Sequence, residues 1–259
     1  MKRFAVALPL ALVGALWFEF LALPWPVLAR WRNPQRTALM EYRIRERAER
    51  GDTLAIRQEW VPLHRISRNL RRAVLVAEDA RFYEHRGIDW VALREELQYR
   101  GDDDFSLTDP NDLRALRDAI AFYLRHRHEV RGRSTITQQL AKNLYFTPER
   151  SLLRKVEELV VARRLELFLP KDRILELYLN VAEWGPGIFG AEAAARYYFG
   201  RSASNLTLEQ AAALAATLPH PLTSNPRYRP GRMAWRQRLI LERLGAGGQK
   251  ASATLSPPR

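Results

Sequence analysis

The sequence predicts a mainly α-helical protein that begins with one transmembrane helix. Three observations predict it. Apolar residues recur three and four apart through most of the chain, the period of a helix with one buried face. No stretch alternates apolar and polar residues for long, so strand signals are few. Residues 4–23 are almost wholly apolar, with Glu19 the one charge, and about 20 such residues span a bilayer core.

Composition limits what such a chain can do. A length of 259 residues is enough to bury a real core in one or two lobes. The 42 Lys and Arg against 29 Asp and Glu leave a formal charge of +13, which calls for an anionic partner: nucleic acid, an acidic membrane surface or a phosphorylated substrate. No helix-turn-helix or RRM pattern accompanies the charge, and the N-terminal apolar run argues against nucleic acid. The absence of cysteine excludes a disulfide framework and any Cys-ligated metal site. No GxGxxG, Walker, HExxH or GxSxG pattern is present.

In chain order, Lys2 and Arg3 keep the short N-terminus cytoplasmic, so the bulk of the chain lies outside the cytoplasmic membrane. Trp17, Trp25 and Trp31 suit the outer interface. A cleaved signal peptide has the same charged start, but the Pro24-Trp25-Pro26 exit lacks a small-x-small cleavage site, which favours a retained anchor over residues 1–28. Residues 29–58 are arginine-rich and mostly polar. They form either a connector drawn to anionic headgroups or a merely solvated one, with a helix over 40–50 that Gly51-Asp52 breaks. Residues 59–63 are extended, because the residue before Pro62 avoids the helical region. A helix marked by Leu70, Ala73, Val74 and Ala77 then leads to Glu78.

Residues 76–90, V-A-E-D-A-R-F-Y-E-H-R-G-I-D-W, fence Glu78 with Asp79, Phe82, His85, Gly87 and Asp89. A carboxylate at the C-terminal end of an apolar helix meets the negative end of the dipole, which raises its affinity for a proton. That makes Glu78 a candidate for proton transfer. Glu-Asp pairs are also common on ordinary surface helices, so the stretch does not decide the matter by itself. Residues 90–99 predict a helix with Val91, Leu93 and Leu97 as its apolar marks. Residues 101–111 are an acidic loop in which Asp102, Asp103 and Asp104 could attract a hard cation, although a solvated turn fits the spacing better. A further helix carries Leu113, Leu116, Ile120 and Leu124, and runs into a basic, aromatic stretch (Phe122, Tyr123, Arg125, His126, Arg127, His128) suited to a membrane surface.

The second informative stretch is R-S-T-I-T-Q-Q-L-A-K-N, residues 133–143. Ser134-Thr135 can cap a helix starting at Ile136, and Gln139 and Lys142 share one face of it. A helix N-terminus with hydroxyls and a lysine suits phosphate oxygens; a capped helix with a polar face is the plain alternative. The third stretch places Arg150, Arg154 and Glu158 one turn apart, with Lys155 beside them and Leu152, Leu153, Val156, Leu159 and Val160 opposite. It is either an ion-pair ladder or a pyrophosphate clamp. Residues 172–180 form an amphipathic helix, residues 184–190 a glycine-rich turn with exposed aromatics, and residues 191–199 and 206–218 alanine-rich helices. Pro219-His220-Pro221 stops the last of these, residues 235–244 form a short final helix, and residues 245–259 lack apolar periodicity, as a disordered tail does.

The stretches E-D-A-R-F-Y-E-H-R-G-I-D, R-S-T-I-T-Q-Q-L-A-K-N and R-K-V-E-E occur in that order. With I-L-E-L-Y-L-N, the glycine- and alanine-rich residues 185–195 and Y-F-G, they resemble the peptidoglycan glycosyltransferases of family 51 over residues 59–244. There is no room for a following transpeptidase domain, so the chain is similar to the monofunctional, singly anchored members. The resemblance implies a lysozyme-like helical domain of two lobes and a lipid-linked disaccharide-pentapeptide substrate, lipid II. The growing glycan would pass from undecaprenyl pyrophosphate to the 4-hydroxyl of the next unit. Glu78 matches the family's general base. Glu158 matches its second glutamate, which assists the departing pyrophosphate directly or through a divalent cation (Mg or Mn); the sequence itself requires no cofactor. Ser134, Gln139, Lys142, Arg150, Arg154 and Lys155 match positions lining the donor's pyrophosphate and sugar pocket. Implied partners are lipid II, the growing lipid-linked glycan, the membrane and cell-wall synthesis or division proteins, with the catalytic domain on the periplasmic side of the inner membrane.

Two departures from the family pattern stand out. Arg133 occupies the second position of the usual Gly-Gly before Ser-Thr, and the segment between Asp89 and Ser134 is longer than usual, which predicts that it reshapes acceptor access or contacts a partner. Two other readings fit parts of the sequence. A lytic, lysozyme-type enzyme also needs a carboxylic acid, but no pyrophosphate clamp. An inactive, membrane-anchored scaffold would keep the fold without the chemistry.

Overall fold

The computed structural model describes residues 21–101, 106, 108–126, 134–149 and 151–253. Most of the apolar run expected to span the membrane, Asp102 to Asp104, Arg127, His128, Arg133 and Arg150 lie outside the described residues. Among the described residues no helix is long and apolar enough to cross a membrane. They contain ten α-helices and three short strands.

Three helices of the first half start on a side-chain cap. The Thr37 hydroxyl accepts the Met40 amide and opens α1 (Ala38–Ala48), inside the segment expected to be a connector. Met40 is nonetheless buried and α1 packs on a later helix, α5. Strand β1 (Arg57–Gln58) follows. The fully buried Asn180 then holds the extended entry, accepting the Val61 amide and donating to the Val61 carbonyl, both at 2.9 Å. Ser67 caps α2 (Arg68–Glu78), which buries Leu70, Ala73 and Val74 as their spacing predicts. Asp89 caps α3 (Trp90–Glu96), and α4 spans Pro110–His126. On α4 the residues Leu113, Leu116, Ile120 and Leu124 face outward, while Asp112 and Ala119 are buried. The Asp112 carboxylate accepts from the Tyr99 hydroxyl and the Ser106 amide, which ties α4 to the end of α3.

The second half supplies most of the core. It runs α5 (Ile136–Tyr145), α6 (Leu152–Phe168), α7 (Lys171–Val181), β2 (Glu183–Gly185), β3 (Ile188–Phe189), α8 (Ala191–Phe199), α9 (Leu208–Thr217) and α10 (Gly231–Ala253). Helix α5 packs on α6 and α7, and α9 packs on α2 and α10. Buried Ala211, Ala212, Ala215 and Ala216 allow that close approach. The sheet has the order β1-β3-β2, with β1 parallel and β2 antiparallel to β3.

Three expectations change. The turn at residues 184–190 is a β-hairpin whose Trp184 and Phe189 are fully buried, because β2 and β3 are covered by α8 and a large aromatic gains most by leaving water. The apolar residues of α6 are split: Val161, Ala162 and Leu165 enter the core, whereas Leu153 and Val156 are exposed, because the first half of the helix flanks a cleft rather than the body. The final helix continues through Ala253 instead of ending at Leu244. No proline follows before Pro257, so nothing forces a stop at Leu244, although Gly245, Gly247 and Gly248 are poor helix formers.

Gly190 joins the hairpin to α8 at φ +84°, and a Cβ there would lie 2.8 Å from the Asn180 carbonyl oxygen. Gly190→Ala is therefore expected to lose about 2 kcal/mol and to lower the melting temperature by roughly 5 °C. Thermal denaturation followed by circular dichroism checks this.

Candidate active site

Helix α2 ends at Glu78 because Asp79 leaves the helical region, at φ −161°. The Asp79 carboxylate binds His85 Nε2 at 2.9 Å and accepts the Ile136 amide at 3.0 Å. It thereby ties the end of α2 to the start of α5 and sets Glu78 against the side of α5. There Gln139 Nε2 donates to Glu78 Oε2 at 2.9 Å, and the Tyr178 hydroxyl donates to Gln139 Oε1 at 2.9 Å. Burial, reinforced by the charges of Glu78 and Asp79, pushes the Tyr178 hydroxyl well above its ordinary pKa, so it serves as a fixed donor. The Arg236 guanidinium, arriving from α10, lies 3.3 Å from Glu78 Oε1.

Glu158 sits one turn below Arg154 on α6 and is 8% exposed. Lys155 Nζ donates to Ser134 Oγ at 2.9 Å and to Gln138 Oε1 at 3.2 Å, and lies 3.4 Å from Glu158 Oε2. Arg154 Nη2 is 3.5 Å from Glu158 Oε1, and its guanidinium lies 3.5 Å from the centre of the Phe146 ring. Burial lowers the pKa of Arg154, against the pull of Glu158, Glu157 and Glu149. Lys142, Arg154, Lys155, Glu158 and Gln139 line a cavity of about 520 Å³. A further wall of this cavity comes from α1, where Arg43 makes a bidentate contact with Glu183 at 3.0 Å. Burial lifts the Glu183 carboxyl above its ordinary range despite the opposing guanidinium.

The two carboxylates open on different cavities. Glu78 lines one of about 450 Å³ with Arg81 and Arg243. A third cavity, about 690 Å³, shares Lys155 with the first and Asp89, Ala92 and Thr135 with the second, so the three adjoin in a row as a segmented trough. A polar relay crosses it. Glu78 accepts from Gln139, whose same Nε2 reaches the Ser134 carbonyl at 3.2 Å, and Ser134 Oγ accepts from Lys155 beside Glu158.

The structure therefore brings together Glu78, Ser134, Gln139, Lys142, Arg154, Lys155 and Glu158; Arg150 lies outside the described residues. The start of α5 differs from expectation. Thr135 is its cap, and the Ile136 and Gln138 amides go to Asp79 and Thr135, so they are not offered to a phosphate. Ser134 orients Lys155 instead. Asp79, His85 and Asp89 hold metal-type donor atoms within 4.8 Å of one another. However, Asp79 and Asp89 are committed to the starts of α5 and α3, and the group works as a junction between helices. Sequence reasoning missed Arg43, Gln138, Tyr178 and Arg236. Arg236 is 158 positions from Glu78 and Arg43 is 140 from Glu183, so no local pattern could have signalled them. Tyr178 looked like one more apolar mark on its helix.

A helical body that sets a hydrogen-bonded carboxylate near a cation-flanked one can move a proton beside a group that gains negative charge. The family described as Transglycosylase matches residues 47–101 and 93–245. The chain belongs to that family. A biosynthetic peptidoglycan transglycosylase of Bordetella pertussis is 45% identical over 85% of this chain and 79% of its own length. One from Dechloromonas aromatica is 42% identical over 85% and 81%, and one from Herminiimonas arsenicoxydans is 39% identical over 93% of each.

Proposed function

We propose that the protein polymerises lipid II into peptidoglycan glycan strands and releases undecaprenyl pyrophosphate, in bacterial cell-wall synthesis. The observation that carries the chemical reading is the relay from Glu78 through Gln139, Ser134 and Lys155 to Glu158. It sets a proton acceptor on one side of the trough and an anion-stabilising cluster on the other. Glu78, as carboxylate, takes the proton of the acceptor's 4-hydroxyl. The freed oxygen attacks the anomeric carbon of the donor sugar, and the bond from that carbon to the pyrophosphate oxygen breaks. The electron pair leaves with the pyrophosphate, whose growing charge Lys142, Arg154 and Lys155 stabilise. Gln139 and Tyr178 hold Glu78 in place, and Glu158 holds Arg154 and Lys155.

A Mg or Mn ion at the pyrophosphate would have Glu158 as its protein ligand only by displacing Arg154 or Lys155 from one of the carboxylate oxygens. Such ions are commonly held by one carboxylate and phosphate oxygens, and would add to the neutralisation of the leaving group. The reading also includes a two-lobed, lysozyme-like domain over residues 59–244 and an N-terminal anchor over residues 1–28 in the inner membrane. It places the trough on the periplasmic side, near cell-wall synthesis or division proteins. The apolar run with Lys2 and Arg3 before it supports the anchor, and the exposed Trp90, Leu124, Leu153 and Val156 suit a surface next to lipid.

The test is to supply purified lipid II and purified sacculi in separate reactions. Glycan polymer from lipid II and no soluble fragments from sacculi is the expected pattern. Fragments from sacculi without polymer would assign the fold to glycan cleavage instead.

A further inference from the structure

We infer that Arg236 is a positioning residue for the Glu78 carboxylate and that its charge sets the pH below which polymerisation fails. The inference rests on the reading of Glu78 as the base. Arg236 lies on α10, which packs on α2 and α9. It falls between Met233 and Ile240, three residues after one and four before the other, and both are buried. The spacing puts a cation on the packed face of the helix, where an apolar residue is the rule. Its Nη2 reaches Glu78 Oε1 at 3.3 Å, while Gln139 occupies Oε2 at 2.9 Å, so each carboxylate oxygen has its own donor. Arg236 Nε is buried without a hydrogen-bond partner among the described residues.

The surroundings explain what a cation does at that point. Glu78 closes α2, where the negative end of the helix dipole disfavours its charged form. Asp79 is next to it, Asp89 lines the same cavity, and the Tyr178 hydroxyl lies behind Gln139. Against these stand Arg81, Arg243 and Arg236. Arg81 is engaged by Glu84 and Asp89 at 3.2 and 3.6 Å, whereas Arg236 makes a direct ion pair with the base, at 3.3 Å. A base must be ionised to accept a proton. A neighbouring cation makes the carboxylate easier to ionise, so removing it shifts the loss of activity on acidification to higher pH.

The test measures kcat/KM of the full-length protein in detergent on lipid II from pH 5 to 9, for the intact chain, Arg236→Lys, Arg236→Gln, Arg236→Met and Glu78→Gln. The two neutral variants are expected to lose about tenfold relative to the intact chain on the acidic side, and less than about twofold well above it. Arg236→Lys is expected to keep the intact profile. A uniform loss at every pH in both neutral variants, or a loss shared by Arg236→Lys, would assign Arg236 to folding and overturn the inference. An unmoved acidic limb in either neutral variant that melts like the intact chain would overturn it too. If Glu78→Gln is inactive while the Arg236 variants keep the intact limb, this inference alone fails. If Glu78→Gln is as active as the intact chain, the reading of Glu78 itself fails.

Discussion

Glu78→Gln is expected to reduce polymerisation of lipid II by about a thousandfold at neutral pH. The substitution keeps the size of the side chain, and a glutamine carbonyl can still accept the hydrogen bond from Gln139. What it removes is the capacity to take a proton, so the loss belongs to kcat and the melting temperature stays within a few degrees. With its carbonyl kept by Gln139, the glutamine turns its NH2 toward the Arg236 guanidinium, a donor facing a donor, which costs about 1 to 2 kcal/mol, a few degrees of melting temperature. Polymer formation followed by gel analysis, with circular dichroism as the folding control, checks both halves. Retained activity would make Glu78 a structural cap on the end of α2.

Lys155→Met is expected to lower kcat by about a hundredfold, with a smaller change in KM. Lys155 joins three partners, Ser134, Gln138 and Glu158, and faces the cavity that would receive the departing pyrophosphate under the proposed function. A cation whose work is done as charge develops affects kcat, whereas one that only holds the bound substrate affects KM. Steady-state kinetics on lipid II separates the two. A large rise in KM at unchanged kcat would reassign Lys155 to ground-state binding and leave the leaving-group role to Arg154 and Lys142. Methionine keeps most of the apolar stem packed in place, so the variant tests the charge rather than the packing.

The parts of this site that lie along single helices were legible in the sequence. Gln139 and Lys142, three apart on α5, do share a cavity, and Arg154 and Glu158, four apart on α6, do form a pair. Helical periodicity fixes such neighbours before any tertiary contact forms. The end of α2 at Glu78 was legible for the same reason. The contacts that finish the site were not. Arg236 and Tyr178 reach Glu78 and Gln139 only after α10 and α7 have packed, and α1 reaches the cleft wall only through Arg43 and Glu183. Burial was misjudged where a glycine-rich stretch carried large aromatics. Gly187 and Gly190, both at positive φ, suggested an exposed turn at Trp184 and Phe189, but the hairpin they permit folds those rings inward.

The central claim is transfer of a glycan between lipid-linked units, and the most direct measurement of it is stoichiometric. Purified protein is given lipid II alone, and lipid II mixed with an excess of a unit whose 4-hydroxyl is blocked. Released undecaprenyl pyrophosphate is counted against disaccharides incorporated. The account predicts one pyrophosphate for each linkage formed, with both quantities falling together as the blocked unit displaces the acceptor. Pyrophosphate released without linkage, undiminished by the blocked unit, would mean that water is the acceptor and would contradict it.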